Sequence, residues 1–479
     1  MAAQSGSDFD LIVLGGGTGG YSAAFRARQL GLHVALVEQA KVGGTCLHVG
    51  CIPTKALIES AEMFARLQKA DEFGIVLGSA PRLDYARIAG RRDEIVRRMW
   101  SGLEGLVSRN KVEFIEGRGR LDGPRAVRVD LNGEDGTRGT GRERLLTADH
   151  LVLATGSRVR SLPGLVPDGR RIVTSDDVTT KAELPRSIVV VGAGAVGCEF
   201  ASMYHDLGVA VTLLEYLSAV VPLEDRDVSR ELERSFTRRG IRVMTSARFD
   251  PAAVRLTDEG VSFEVGPAGG AREVIRADQL LVATGRAANV EGIGLETTRV
   301  EVEGGVVKVD RRMGTAEPGV YAISDLVGGL QLAHVAAHEG FVAVGNLAGQ
   351  MAEEIDYDSQ PRATFTRPQV ASIGLTEQQC EERGITFRKG RFPFAANGKA
   401  VIVGEAEGFA KVIADASTDA ILGVHLIGPA VTELIAEAAV SMSLEATTHE
   451  IGESTHPHPT LSEALGEAAL AVHARQING

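Results

Sequence analysis

The sequence predicts an α/β protein with two parallel-sheet domains and a C-terminal α+β domain, and three observations predict it. An apolar strand, a glycine-rich turn, a helix, a second strand and a closing acid follow one another twice, at Phe9 to Glu38 and at Arg186 to Glu215. Each copy leads, after a helical stretch and short strand-like segments, to an apolar strand that ends in Ala-Thr-Gly, in HLVLATGSR and again in QLLVATGRA. From about Tyr357 the pattern changes to short alternating strands followed by helical runs. Strands that alternate with helices form parallel sheets, whereas strands clustered before helices form an α+β unit.

Length and charge agree with several domains and a small partner. A chain of 479 residues, 44% of them hydrophobic, can bury several cores, and about 150 residues per domain leads to roughly three. The formal net charge is -12, with no basic block beyond short doublets such as Arg91-Arg92, so the chain lacks the electrostatic footprint of a nucleic-acid binder. No apolar run approaches the roughly 20 residues of a membrane span. The opening MAAQSGSDFD has neither a basic nor an apolar region of the kind a signal peptide needs and reads as a short disordered lead. Four cysteines without a signal fit a cytoplasmic, reducing compartment, where a disulfide that persists is usually catalytic.

In the first copy, DLIVLGGG is a buried parallel strand that breaks at Gly15, Gly17 and Gly20, YSAAFRARQLG is a helix, and HVALVE is a strand ending at Glu38. This is the G-x-G-x-x-G dinucleotide fingerprint with its confirming context, an acid about twenty residues on. The glycines let a pyrophosphate reach the helix N-terminus, and Glu38 accepts from a ribose hydroxyl. The second copy carries Gly192, Gly194, Gly197 and Glu215, so two dinucleotides are expected. Glu215 favours NAD, because an acid there pairs with the ribose 2′-hydroxyl and repels a 2′-phosphate. No arginine follows it in YLSAV, which disfavours NADP.

Glycine-rich stretches at 132 to 141 and 266 to 270 read as hairpin loops of accessory meanders. Ser157 to Pro185, with prolines at 163, 167 and 185, reads as a linker. After Arg286, GVYAISDLVGG is a strand ending at Asp325, followed by a helix, and resembles a return to the first domain. In the C-terminal part PQVASIGL, GFAKVIAD and ILGVHLIG are strands, and helices run from Thr432 to Leu444 and from Ser462 to Ala474. Between those helices HEIGESTHPHPTLSE sets two histidines and an acid in a proline-pinned turn, an odd composition for a connector.

The stretch GGTCLHVGCIPTK, Gly43 to Lys55, places Cys46 and Cys51 in an otherwise cysteine-poor chain. Glycines at 43, 44 and 50 permit close backbone approach, and a helix begins at Cys51, where the N-terminus stabilises a thiolate. The spacing is too wide for the usual zinc or C-x-x-C redox pair, and no second Cys/His pair stands at ligand spacing, so no metal is expected. A redox disulfide is the better reading; two buried, inert thiols is the other.

These motifs together resemble the flavoprotein disulfide reductases over nearly the whole chain. Within that family Gly20-Tyr21, HLIGPAVTELI and the extra histidine before the His-Pro-Thr core resemble the dihydrolipoamide dehydrogenase branch. The resemblance implies two Rossmann-like dinucleotide-binding domains, for FAD and NAD, and a C-terminal α+β dimerisation domain. The expected limits are 1–155 for the FAD domain, 156–284 for the NAD domain, 285–350 for a central segment returning to the FAD domain, and 351–479 for the interface domain.

The resemblance also implies the roles. Cys51 is the flavin-proximal thiol and Cys46 the interchange thiol that meets substrate. Lys55 lies near the flavin, with Glu199 its ion-pair partner. His458 is the acid-base catalyst, oriented by Glu463, with His456 in support, and it reaches the disulfide of the other subunit of a homodimer. Gly44, Thr45, Thr155, Gly156 and Asp325 join Gly15, Gly17, Gly20 and Glu38 at FAD, and Gly285 joins the second fingerprint at NAD. The partners implied are lipoyl-bearing proteins of 2-oxo acid dehydrogenase or glycine cleavage complexes. Cys198 and Cys380 read as structural thiols. Three positions depart from the family pattern: His48 for asparagine, Thr54 for serine and Ser324 for glycine. The alternatives are a glutathione reductase-like enzyme and a non-catalytic flavin-binding scaffold, and the tail AVHARQING lacks the extra cysteine pair of mercuric and some thioredoxin reductases.

Overall fold

The run FDLIVL forms the strand Phe9–Leu14, and with both faces covered its residues Leu11, Ile12 and Val13 are wholly buried in the computed structural model of the chain. The structure describes residues 6–133, 137–350 and 354–478. The first residues of the N-terminal lead and positions 134–136 of the first glycine-rich loop lie outside them. The chain divides into two units. One comprises Met1–Ala56, Ala89–Arg160 and Arg286–Tyr357, the other Leu57–Ile88, Ser161–Gly285 and Asp358–Gly479.

In the first unit five strands run parallel, in the order Glu113–Leu121, Val34–Glu38, Phe9–Leu14, Glu143–Leu153 and Val320–Ala322. Ile12 lies opposite Ala35 on one side and Leu151 on the other. Continuous β-branched and leucine runs suit strands buried on both faces. Glu113–Leu121 and Glu143–Leu153 extend beyond this sheet and pair antiparallel with Ala126–Leu131, which makes the meander. The helices Thr18–Gln29 and Ala333–Leu347 pack closely, because a β-carbon on Gly340 would come within 3.0 Å of the Gly19 carbonyl oxygen. A larger side chain at Gly340 would force them apart.

The second unit repeats the parallel arrangement, in the order Arg242–Met244, Ala210–Leu214, Ser187–Val191, Gln279–Val282 and Ile172–Thr174. The last strand falls inside the stretch read as a linker. Its Val173 is fully buried and aligns with Leu281, so sheet pairing gives structure to three residues that flanking prolines and charges disguised. The flanks of the predicted 266–270 loop, Gly260–Pro267 and Glu273–Ala277, pair antiparallel.

The C-terminal part of this unit is an antiparallel five-stranded sheet, ordered Arg362–Thr364, Gln369–Gly374, Ile421–Gly428, Phe409–Asp415 and Phe387–Pro393. Phe392, Phe394 and Phe409 are buried in or beside it, each worth roughly 1.5–3 kcal/mol relative to exposure. The helix Glu463–Ala471 lies against Gly390, where an added β-carbon would come within 2.1 Å of the Ala468 carbonyl.

Lys411 is 1% exposed, and its ammonium donates to Asp225 at 2.7 Å, to Asp227 at 2.8 Å and to Glu377. Those three carboxylates are spaced closely enough for a cation, and the lysine ammonium is the cation they share. Among the described residues no helix is long and apolar enough to cross a membrane.

Candidate active site

The two fingerprints converge on one geometry. At Gly15, with φ +111°, a β-carbon would strike the Ala154 carbonyl oxygen at 2.2 Å; at Gly192, with φ +100°, it would strike that of Ala283 at 2.4 Å. Only glycine is accommodated at such a backbone angle and approach. A β-carbon on Gly20 would lie 1.9 Å from the Gly15 oxygen, and one on Gly197 would lie 1.8 Å from the Gly192 oxygen. Around Gly17 and Gly194, each the N-cap of its helix, there is instead open space.

The closing acids match as well. Glu38 accepts from the N–H of Gly16 at 2.7 Å and of Ala40 at 2.8 Å. Glu215, 8% exposed, accepts from Ala193 at 2.6 Å and Leu217 at 2.8 Å. Each turn therefore offers a helix N-terminus with open room at its middle glycine, next to a fixed carboxylate. That donor set fits a pyrophosphate and its ribose, so the residues present suit FAD at the first turn and NAD at the second.

Around the first turn, Thr155 and Asn289 are tied by reciprocal bonds, Thr155 Oγ1 donating to the Asn289 carbonyl at 3.0 Å and Asn289 Nδ2 to the Thr155 carbonyl at 2.9 Å. Asn289 N–H also donates to Gly156 at 2.9 Å. Asp325 accepts from Ser157 Oγ and lies 3.7 Å from Arg286 Nε. The strand before it stops at Ala322, and Ser324–Val327 is a short 3-10 turn, which corrects the strand end expected at Asp325. Ser324 holds φ +70°, the left-handed conformation in which glycine is at ease. Its N–H donates to Glu339 at 2.6 Å, and Tyr357 donates its hydroxyl to the same carboxylate at 2.7 Å. Burial raises Glu339 to about 7. In the second fingerprint Gly285 holds φ +101° with open space around it.

The segment that carries Cys46 and Cys51 docks directly on the first turn. Gly43 N–H donates to Gly16 at 2.8 Å, and a β-carbon on Gly44 would come within 2.8 Å of Gly17 Cα. Gly44–His48 forms a short helix, carrying Thr45 and Cys46, that the sequence reading lacked. The helix Cys51–Leu67 starts at the second cysteine, as expected. Gly50 lets the chain fold back, since a β-carbon there would come within 2.8 Å of the Thr45 carbonyl oxygen and 3.1 Å of Cys46 Cα.

Both cysteines are half-buried thiols. The hydrogen bond from Cys51 is the main influence that lowers Cys46 to about 7; burial opposes it, and the Thr18 hydroxyl and the Lys55 charge assist. Thr18 was not among the expected residues; a hydroxyl inside a glycine-rich turn was its only signal. Cys198 and Cys380 are buried thiols, Cys198 donating to the Ala193 carbonyl at 3.3 Å.

His48 presents Nε2 to the Val42 carbonyl at 3.0 Å and its ring edge to Trp100, with centroids 5.9 Å apart. Its imidazole is thus occupied by structure. Thr54 is 5% exposed.

In the second unit, His458 is exposed, with Nδ1 2.8 Å from Glu463 Oε1. Thr460 N–H donates to the other Glu463 oxygen at 2.8 Å. That N–H leads the influences that lower the Glu463 carboxyl, with the His458 bond assisting. The geometry leaves His458 Nε2 directed away from its carboxylate, the arrangement of an oriented general base. His456 has a carboxylate of its own, Glu437, 2.8 Å away, which raises its basicity. Glu437 was not foreseen, because nothing local marks an acid on the helix Val431–Ser443 as a histidine partner. Glu199 is 5% exposed and accepts from Phe365 N–H at 2.9 Å, so it is a buried, engaged carboxylate.

Comparison with known proteins separates a long N-terminal part from a C-terminal one. Residues 9–340 match the model of the pyridine nucleotide-disulphide oxidoreductases, and residues 360–469 match the dimerisation domain of that group. A dihydrolipoyl dehydrogenase of Bacillus subtilis is 44% identical, the match covering 98% of this chain and 99% of that protein. One of Zymomonas mobilis is 41% identical over 98% and 99% of the two chains. The crystal structure of LpdA from Mycobacterium tuberculosis superposes with a TM-score of 0.87 at 29% identity, covering 96% of this chain and 98% of that one. Twin nucleotide turns, a thiol pair docked on the first of them and end-to-end likeness to these proteins carry one conclusion: the chain belongs to the pyridine nucleotide-disulphide oxidoreductase family, among its dihydrolipoyl dehydrogenases.

Proposed function

We propose that the protein oxidises dihydrolipoyl groups with NAD, cycling Cys46 and Cys51 between disulfide and dithiol. The observation that carries this reading is the mutually hydrogen-bonded thiol pair, with Cys46 lowered to about 7, lying on the first glycine-rich turn. His458, oriented by Glu463, takes the proton of a substrate thiol. The resulting thiolate attacks Cys46 Sγ; the Cys46–Cys51 bond breaks and Cys51 leaves as a thiolate. The second substrate thiol, deprotonated in turn, attacks the sulfur joined to Cys46, closing the lipoyl ring and releasing Cys46. Two electrons pass from substrate to the cysteine pair, and the two protons pass to His458 and the released thiolates. The first turn would hold FAD and the second NAD, and the flavin, when bound, would supply two-electron redox chemistry.

Within this reading Gly15, Gly17, Gly20, Glu38, Gly44, Thr45, Thr155, Gly156 and Asp325 hold FAD, and Gly192, Gly194, Gly197, Glu215 and Gly285 hold NAD. Lys55 places a positive charge beside the thiol pair, and Glu199 is read as its ion-pair partner. The division at 155, 284 and 350 assigns one domain to each cofactor, a returning segment and an interface domain.

The active form is read as a homodimer in which His458 serves the partner's disulfide. Phe73, Ile75, Val76, Val401 and Ile402 are exposed, and the Phe73 ring lies beside Gly404. Exposed apolar side chains such as these are of the kind an interface covers. The cytoplasm is the matching compartment, and lipoyl-bearing proteins of 2-oxo acid dehydrogenase or glycine cleavage complexes are the matching partners.

The test is NAD-dependent oxidation of dihydrolipoamide compared with reduced glutathione, in the native protein and in Cys46→Ser. Fast turnover on dihydrolipoamide alone, abolished in the variant with FAD retained, is expected. Preference for glutathione would overturn the substrate, and full turnover by Cys46→Ser would overturn the thiol mechanism.

A further inference from the structure

No arginine follows Glu215 in the sequence, a pattern that disfavours NADP. The fold supplies one from elsewhere. Glu215 N–H donates to Met244 at 2.9 Å, Ala247 N–H to Glu215 at 2.8 Å and Ser246 N–H to Leu217 at 2.7 Å, so residues 244–248 are laced along 215–217. This lacing sets Arg248 on Tyr216, its guanidinium carbon 3.4 Å from the ring centroid. Nη1 donates to the Tyr216 carbonyl at 2.6 Å and to the Ala247 carbonyl at 3.1 Å. Tyr216 is 66% exposed, so the stacked pair stands at the surface, one residue from the acid that faces the ribose.

Two carbonyls and a ring hold the guanidinium in place, yet none of them neutralises it. Among the described residues no carboxylate forms an ion pair with Arg248, although ion pairs engage many other arginines of this unit, such as Arg186, Arg239 and Arg367. A planar, fixed, uncompensated guanidinium is the group that recognises phosphate through paired N–H donors. An arginine near the ribose-reading acid is the physical basis for accepting a 2′-phosphate.

We propose that Arg248, held on Tyr216, is a specificity-determining residue that accepts the 2′-phosphate of NADP(H), so that discrimination against NADP is weaker than Glu215 alone would impose. This rests on the reading that the second fingerprint holds the nicotinamide dinucleotide. Glu215 repels the phosphate while Arg248 attracts it, and the balance sets the cofactor ratio.

The test uses the FAD-loaded protein titrated with AMP and with adenosine 2′,5′-bisphosphate, in the native chain, Arg248→Ala, Arg248→Lys and Glu215→Ala. Arg248→Ala is expected to weaken the bisphosphate at least about tenfold more than AMP, with Arg248→Lys intermediate. The ratio of kcat/KM for NADPH to that for NADH is expected to fall by a similar factor. Raising salt from about 50 to about 200 mM should weaken the bisphosphate selectively in the native chain and far less in Arg248→Ala. Equal weakening of both nucleotides, or of neither, overturns the proposal and leaves the reading of the second fingerprint intact. If Glu215→Ala leaves AMP binding unchanged, that reading falls and the proposal falls with it.

Discussion

Replacing Cys51 by alanine removes the donor that most lowers Cys46, and the consequence can be worked through. A thiol at about 7 is half thiolate at neutral pH, whereas one at the ordinary 9.0 is roughly 1% thiolate there. Full loss of the perturbation would cut the thiolate fraction about fiftyfold. Each remaining thiolate would be more basic and therefore about six- to tenfold more nucleophilic, given a Brønsted slope of ~0.4–0.5. The fraction wins, and the net rate at pH 7 falls about five- to eightfold. Because Thr18 and Lys55 still act on Cys46, that figure is an upper limit. The assay is iodoacetamide alkylation of the prereduced protein as a function of pH. Cys198 and Cys380 are 0% exposed and do not compete. The midpoint of the profile is expected to climb by at least about one pH unit in Cys51→Ala. A midpoint that stays near 7 would refute the claim that the second thiol sets the reactivity of the first.

Three further outcomes follow from the geometry. His458→Gln is expected to lower dihydrolipoamide turnover on the order of 10² or more while leaving flavin content unchanged, and near-native kinetics would remove His458 from the acid-base role. Lys411→Met strands the buried carboxylate of Asp225 and the half-buried ones of Asp227 and Glu377 without their cation. The expected loss is about 3–5 kcal/mol in urea denaturation, and a loss below about 1 kcal/mol would show the cluster to be dispensable. Burial raises Glu339 to about 7 from 4.5. In the interval between those values the folded chain holds a proton that the unfolded chain has released, so this carboxyl makes stability fall as pH rises. Glu339→Gln, which does not titrate, should flatten the decline in Tm between about pH 5 and about pH 8; an identical decline would show that Glu339 is not its source.

The twin nucleotide turns were legible because their chemistry is imposed on the backbone. A glycine at 15 or 192 is required by a carbonyl about 2 Å from where a side chain would begin, and that requirement surfaces as a spaced motif. The thiol pair and the His458–Glu463 turn were legible because each lies within a few residues of sequence. What escaped depends on distant chain. The strand Ile172–Thr174 is three residues long and acquires its structure from Gln279–Val282. Glu339 meets Ser324 and Tyr357, and Glu437 meets His456, only after helices have packed. Arg248 reaches Tyr216 through a lacing of strands that no local pattern announces. Ser324, singled out as a departure from the family pattern, holds a left-handed backbone whose N–H is accepted by the buried Glu339, a partner fifteen residues on that no local pattern announces.

In both glycine-rich turns the acid already grips the backbone on either side, Glu38 through Gly16 and Ala40, Glu215 through Ala193 and Leu217. Each turn is therefore preorganised, its shape set by the protein's own hydrogen bonds. A nucleotide that arrives has little loop to order, and association loses correspondingly little conformational entropy. Capture then proceeds as rigid docking at similar rates for related nucleotides. Their differences lie in how long each remains bound, so residence time is the quantity through which these turns choose.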